Sequence, residues 1–386
     1  MKFTVQKSAL MEKLSPAMGS VSTQNTITSI EGILLETVED GKIRLSTYDM
    51  NKGVRALVDA VSIERPGSFI VNAKRFYSTL RVLPDDDITV DVNDKLNMTV
   101  SSGKSSFSMF VLAGQDFPNL PELLSDEGFV INSRLLRSMI DRVMHSVAVA
   151  DTRAMLCGAF FKIRGNTIDA VSCDSYTLSI RHEVSEISRI GGENDYSFII
   201  PGHALGEIVR LLADAGEEDT VDFYLSRKHA ILRKEDIVFF TRTIESDYID
   251  YERIMPKEND NIVVLDRERL LTGLERANLI AEEKVQGSGR SYVKLRLDGQ
   301  KLTLTSSSVN GKVYDEMDCV HEGPELEIGF NCRYLINCVR AATGESLRLS
   351  FKNATSAVVM EPVEKDENSN FFYMVLPVRM ANNNNE

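Results

Sequence analysis

Residues 5–14, VQKSALMEKL, form a ten-residue frame with apolar side chains at its first, sixth and tenth positions (Val5, Leu10, Leu14). The frame returns five times, as VNAKRFYSTL from Val71, INSRLLRSMI from Ile131, IPGHALGEIV from Ile200, LDRERLLTGL from Leu265 and FNCRYLINCV from Phe330. Its sixth and tenth positions are an i, i+4 pair and share one face of a helix. The starts are 66, 60, 69, 65 and 65 residues apart. A unit of that size recurring with so little drift predicts an architecture built by duplication.

Each copy follows a short strand and precedes three more. In the first, KFTV leads into the helix. SIEGILLETV, KIRLSTYDM and KGVRALVDAV follow, β-branched or alternating in pattern and separated by Asp40-Gly41 and Asn51 to Gly53. The same β-α-β-β-β order is read six times. DFPNLPELLSDEG after the second copy and SDYIDYERIMPKENDN after the fourth are Pro- and Asp-bearing connections suited to domain boundaries. The predicted class is α+β: three similar domains, 1–124, 125–259 and 260–386, each a tandem pair of β-α-β-β-β units. Two such units can pack their helices on one face and their sheets on the others, which would bring six helices to a common surface. Residues 381–386, ANNNNE, read as a disordered polar tail that could also lie across a neighbouring cleft.

Composition narrows the function. The chain is 43% apolar and 26% charged, without an apolar run long enough to span a bilayer, and MKFT lacks the apolar core of a signal peptide. The expected location is cytoplasmic, with no membrane partner. The five cysteines have no C-x-x-C spacing and read as buried reduced thiols. There is no G-x-x-x-x-G-K-[ST] loop, Gly287-Ser-Gly289 lacks the third glycine of a dinucleotide turn, and no motif sets a base beside a nucleophile. Asp85-Asp86-Asp87 reads as a solvated turn rather than a metal site. Asp49, Asp174 and Ser308 fall at comparable strand ends in the three domains and read as turn residues. No catalytic, metal or cofactor site is expected.

A net charge of −13 argues at first against nucleic acid. Its distribution reverses the argument. The six helical segments carry fourteen Lys and Arg against seven Asp and Glu, a net of +7, and the rest of the chain carries thirty against fifty, a net of −20. A single basic helix would be an ordinary solvated face. Six in register predict an electropositive surface for phosphates met without regard to sequence. The candidate DNA-facing residues are Lys7, Lys13, Lys74, Arg75, Arg81, Arg134, Arg137, Arg142, Arg153, Arg210, Arg267, Arg269, Arg276, Arg333 and Arg340.

Five segments then mark a family resemblance: MKFTV at the start, FxxxxxDFPNLP at 110–121, SDYIDYERIMPK at 246–257, EIGFNCRYL at 327–335 and YMVLPVRM at 373–380. In this order, on a threefold repeat, the chain resembles the bacterial DNA polymerase III beta subunit, the sliding clamp. The resemblance implies the DNA clamp fold, a head-to-tail homodimeric ring with helices lining the hole and sheets outside. Twelve helices about 9 Å apart would make a circle about 35 Å across, with a hole near 25 Å once a helix diameter of about 10 Å is removed. It further implies a non-catalytic processivity subunit, without a cofactor of its own, acting at the nucleoid during replication. Its partners would be double-stranded DNA, the replicative polymerase catalytic subunit, an ATP-driven clamp loader and other proteins carrying a clamp-binding motif.

By the same resemblance, partner peptides would enter an apolar cleft at Leu156, Cys173, Ser175, Tyr176, Thr177, Leu178, Ile249, Ile254, Val285, Asn331, Tyr334, Thr355, Met374, Leu376, Pro377, Val378, Arg379 and Met380. Asn331 and Arg379 would supply polar contacts. The chain departs from the family's usual T-D-G-H-R-L, having Cys173-Asp-Ser-Tyr-Thr-Leu178 instead. Two alternatives stand beside the clamp: a repeat scaffold binding proteins only, and an enzyme with an inter-domain cleft.

Overall fold

The computed structural model describes residues 1–22, 28–121, 125–192, 194–281, 292–308 and 311–380. The repeat frame is the skeleton of the core. Of its eighteen apolar positions, all but Val209 are buried.

The first repeat runs through β1 (Lys2–Gln6), α1 (Lys7–Ala17), β2 (Gly32–Val38), β3 (Lys42–Tyr48), β4 (Lys52–Asp59) and a short β5 (Ser62–Arg65). The second has β6 (Ser68–Asn72), α2 (Ala73–Val82), β7 (Asp87–Val92), β8 (Asn97–Ser102), β9 (Ser105–Phe110) and β10 (Leu112–Ala113). The third has β11 (Gly128–Asn132), α3 (Ser133–Val143), β12 (Gly158–Arg164), β13 (Thr167–Cys173), β14 (Thr177–Val184) and β15 (Ser188–Ile190). The fourth has β16 (Tyr196–Pro201), α4 (Gly202–Leu211), β17 (Thr220–Leu225), β18 (His229–Lys234) and β19 (Ile237–Arg242), with a one-turn α5 (Tyr251–Ile254) after it. The fifth has β20 (Asn261–Asp266), α6 (Arg267–Ala281), β21 (Val293–Asp298), β22 (Lys301–Ser307), β23 (Lys312–Asp318) and β24 (Val320–Glu322). The sixth has β25 (Leu326–Phe330), α7 (Cys332–Ala341), β26 (Ser346–Phe351), β27 (Val358–Pro362) and β28 (Ser369–Val375). The predicted order thus recurs six times, with β5, β10, β15, β24 and α5 added at the joints.

Burial follows the pleat. DITVDV and NMTVSS alternate between core and surface along β7 and β8. Asn72 caps α2 by accepting the Arg75 backbone N–H at 3.0 Å, and Asn331 caps α7 by accepting that of Arg333 at 3.0 Å. The strand-end acids are turn residues: the Asp49 carboxylate accepts the N–H groups of Asn51 and Lys52 at 2.9 and 2.8 Å. Four of the five cysteines are buried and all are free thiols.

The two repeats of a domain exchange their first strands. β1 pairs with β7 of the second repeat, and β6 pairs with β2 of the first. β11 and β17, β16 and β12, β20 and β26, and β25 and β21 repeat the exchange. The chain divides into two compact units. One holds a five-stranded sheet, β5-β1-β7-β8-β9, and a ten-stranded sheet in which β4 pairs with β19. The other holds a four-stranded sheet, β23-β22-β21-β25, and a nine-stranded sheet in which β14 pairs with β28.

Within the first unit a buried ion pair ties α4 to the start of β4. The Lys52 ammonium donates to the Glu207 carboxylate at 2.7 Å and to the Gly19 carbonyl at 2.5 Å. Gly19 leaves room for this carboxylate, since a Cβ there would stand 1.8 Å from it and the Glu207 side chain would have to shift. Arg210 also donates to Glu207 but is mostly exposed, so Lys52 carries the compensation. Removing one partner strands the other without water. Lys52→Met should therefore lower unfolding free energy by about 3 kcal/mol in urea titrations. A loss near zero would mean that Arg210 alone compensates Glu207.

Candidate functional site

The second unit carries an apolar cleft of about 700 Å³ where β14 meets β28. Its deep walls are Leu156, Cys173, Thr177, Ala357 and Met374, all buried. Its rim carries the exposed side chains of Tyr176, Ile254 and Leu376. Local chemistry fixes this rim. The Asp174 carboxylate accepts the N–H groups of Tyr176 and Thr177 at 2.9 and 2.7 Å and the Thr177 hydroxyl at 2.9 Å. Ser175 is held at φ +78°, and the Leu376 N–H donates to the Tyr176 carbonyl at 2.8 Å. Beneath, Tyr248 stacks on Phe160 at 5.1 Å and packs against the same cluster. Burial pushes the Cys173 thiol and the Tyr248 phenol up, so both stay neutral.

Ten of the eighteen anticipated cleft residues line it: Leu156, Cys173, Ser175, Tyr176, Thr177, Ile249, Ile254, Thr355, Met374 and Leu376. Leu178 lies fully buried in the cluster beneath. Asn331, Tyr334, Pro377, Val378, Arg379 and Met380 are not among the walls. Asn331 is occupied as the α7 cap, the Tyr334 ring is stacked on Tyr176 at 5.8 Å, and the Val378 N–H donates to Gly329. Val285 and the tail 381–386 lie outside the described residues.

The walls also hold polar residues that apolar patterning had no means to find: Arg153, Lys257, Glu258, Asn259, Lys352 and Ser356. Arg153, grouped by sequence with the DNA-facing helices, sits here on the loop before β12. It donates to both Asp151 oxygens at 3.0 Å and to the Ser175 hydroxyl. That pairing pulls the Asp151 carboxyl down to about 2. Lys352 pairs with Glu258 at 2.7 Å, and Lys257 is exposed with no ion pair among the described residues.

The helix cations are mostly engaged. Lys7 donates to the Leu83 carbonyl at 2.6 Å, Arg134 to Ala215 at 2.8 Å, Arg137 to Ala213 at 2.7 Å, Arg142 to Ala341 at 2.5 Å and Arg267 to Gly344 at 2.9 Å. Lys13 pairs with Glu12 and Glu235, Arg210 with Glu207, Arg269 and Arg276 with Asp315, and Arg340 with Glu275. Lys74, Arg75 and Arg81 are exposed on α2 without an ion pair among the described residues. Arg333 is exposed on α7.

A six-repeat, three-domain α+β chain of this topology is a DNA clamp fold. The family description "DNA polymerase III beta subunit" matches three times in succession: its N-terminal domain over residues 1–121, its central domain over 130–250 and its C-terminal domain over 252–379. The beta sliding clamp of Pseudomonas putida is 28% identical over 382 residues, covering 98% of this chain and all of the relative. That of Bacillus subtilis is 25% identical over 390 residues with the same coverage. The crystal structure of the Pseudomonas aeruginosa DNA polymerase III subunit beta superposes with a TM-score of 0.87 at 26% identity, covering 98% of this chain and all of that one. The chain belongs to the DNA polymerase III beta subunit family.

A polar relay runs inward from the cleft wall. The Thr177 hydroxyl, its proton given to Asp174, meets the Ser146 hydroxyl at 2.8 Å, Ser146 meets Ser179 at 2.7 Å, and Ser179 meets His145 Nε2 at 3.0 Å. The His145 ring lies edge-on to Tyr373, and burial pushes it from the ordinary 6.5 down to about 4. The unfolded chain therefore takes up this proton first as pH falls, so the stabilising contribution is complete above 6.5 and is lost between 6.5 and 4. The loss should approach about 3 kcal/mol. Urea unfolding across that window should show the acid-side decline in the native chain and a flatter profile in His145→Phe. Parallel profiles would mean that another group drives the decline.

Proposed function

We propose that the protein is a DNA sliding clamp. Two copies close head to tail into a ring around duplex DNA and hold the replicative polymerase and other partners to the template. Its contribution is processivity by topology, not catalysis. It uses no cofactor of its own, and a separate ATP-driven loader opens the ring. The observation that carries this reading is the unbroken succession of three clamp-family domains over nearly the whole chain. We place the domain boundaries at 1–124, 125–259 and 260–386. The site of action is the cytoplasm, at the nucleoid during replication. No helix among the described residues is long and apolar enough to cross a membrane.

Two bare sheet edges support ring closure. β9 ends the five-stranded sheet and exposes Phe107 and Phe110, the latter 83% accessible. β23 ends the four-stranded sheet and exposes Tyr314. Each offers unpaired backbone groups beside aromatic surface, which a second copy would cover. Phe110→Asp should convert the dimer to monomer in sedimentation runs. An unshifted dimer would place the contact elsewhere.

For the partner cleft, apolar anchors of a short peptide would fill the space walled by Leu156, Cys173 and Met374. Ile254→Asp, on the rim, should weaken an apolar clamp-binding peptide at least about tenfold, about 1.4 kcal/mol, with the dimer intact. Equal affinity in fluorescence anisotropy would count against this cleft. For the function itself, protein loaded on a closed DNA circle should be retained and then released when the circle is cut. Equal loss from circle and linear DNA would overturn the clamp.

A further inference from the structure

We propose that the basic residues of the helices divide their work. Lys7, Arg134 and Arg267, in the first turn of the leading helix of each domain, hold the end of the companion helix or the turn that follows it, whereas Lys74 and Arg81 on α2 meet the phosphates of the duplex. The proposal rests on the clamp reading and assigns which charges serve it.

The first group occupies nearly the same place in three copies of the frame, the third residue in Lys7 and Arg267 and the fourth in Arg134. Each makes the same contact. Lys7 of α1 donates to Leu83 at the end of α2, Arg134 of α3 to Ala215 in the turn after α4, and Arg267 of α6 to Gly344 after α7. The Leu83 carbonyl closes α2, where the negative end of the helix dipole favours a cation, and Ala215 and Gly344 lie in the turns that follow α4 and α7, so the cations there tie those turns to the leading helix. Arg134 spends a second donor on Glu217 and Arg267 one on Glu268. Contact with phosphate would require these side chains to give up those carbonyls.

On α2 the opposite holds. Lys74 and Arg81 are seven residues apart, two turns less about 20°, and so stand on one face with the exposed Ser78 between them. Ala73, Phe76 and Leu80 fill the buried face, and the Tyr77 hydroxyl meets Ser15 of α1. Neither Lys74 nor Arg81 has a side-chain hydrogen bond or ion pair among the described residues, and Arg75 lies one residue round from their stripe. By contrast Arg210, Arg269, Arg276 and Arg340 are matched by carboxylates. A matched arginine must leave its carboxylate before it can displace a counterion from DNA. The salt dependence of duplex binding should therefore concentrate on α2.

The test is anisotropy of a fluorescent duplex with the full-length protein over a salt series, paired with thermal unfolding. Each lost phosphate contact reduces the slope of log K against log salt by about 0.9. The double variant Lys74→Gln, Arg81→Gln should lose that amount per residue and keep the native melting temperature. Lys7→Gln and Arg134→Gln should keep the slope and melt a few degrees lower. If the double variant retains the native slope, or the capping variants lower the slope without lowering the melting temperature, the division is overturned. If the native protein itself shows no salt slope, the duplex reading fails and the proposal falls with it.

Discussion

The antiparallel ladder between β14 and β28 is the constraint on which the partner cleft depends. It joins strands nearly two hundred residues apart in sequence, pairing Thr177 with Val375 and Leu178 with Met374. The rim turn at Asp174 is fixed at one end of this ladder, and the Leu376 N–H continues it one step beyond the last strand. Without that register the apolar side chains of the central and C-terminal domains would not share a wall. A slip of one residue would turn Met374 to the opposite face.

Duplication supplies an internal control. In the first unit, β4 and β19 form the corresponding ladder, and Asp49 makes the same turn as Asp174, with Met50 at φ +76° where Ser175 has +78°. Yet the space is filled. Tyr48 stands where the cleft has Cys173, and its ring lies 5.7 Å from that of Phe240, which stands where the cleft has Met374. Gly53 replaces Leu178 because a Cβ would come within 2.3 Å of Phe240. Phe117 and Leu120 of the connecting segment complete the plug. Whether a copy of this fold bears a cleft is thus decided by a few side-chain volumes on an unchanged backbone.

The repeat frame made the helices, the core positions and the six-fold order of elements legible, because helical and pleated periods are local and burial obeys them. Val209 alone escaped burial. Strand exchange was not legible, since alternation along β1 says which face is buried and nothing about which strand lies beside it. The excess of basic residues on helices could be read from sequence, but its employment could not. Lys7 and Lys74 are the same kind of residue in similar places, and only the distance to a carbonyl separates them. Arg153 was grouped with the helix cations for the same reason: its sign was visible, and its bond to Asp151 on the cleft loop was not. Asn331 and Tyr334 match the family pattern in sequence, yet a helix cap and a ring stack occupy them.

The exchange of first strands has a consequence for biosynthesis. β1 has the short β5 of its own repeat on one edge, but its full-length partner is β7, with Lys2 opposite Asp91, while one edge of β2 waits for β6. Neither repeat can complete a sheet alone, although each has its own helix and three consecutive strands. A nascent chain emerging from the ribosome would therefore carry β1 with its β7 edge open until most of the first domain had been made, and closing that long loop is entropically slow. The interlock makes the pair of repeats, not the single repeat, the smallest piece able to stand by itself. An ancestral half-domain could have folded only by pairing with a second copy of itself.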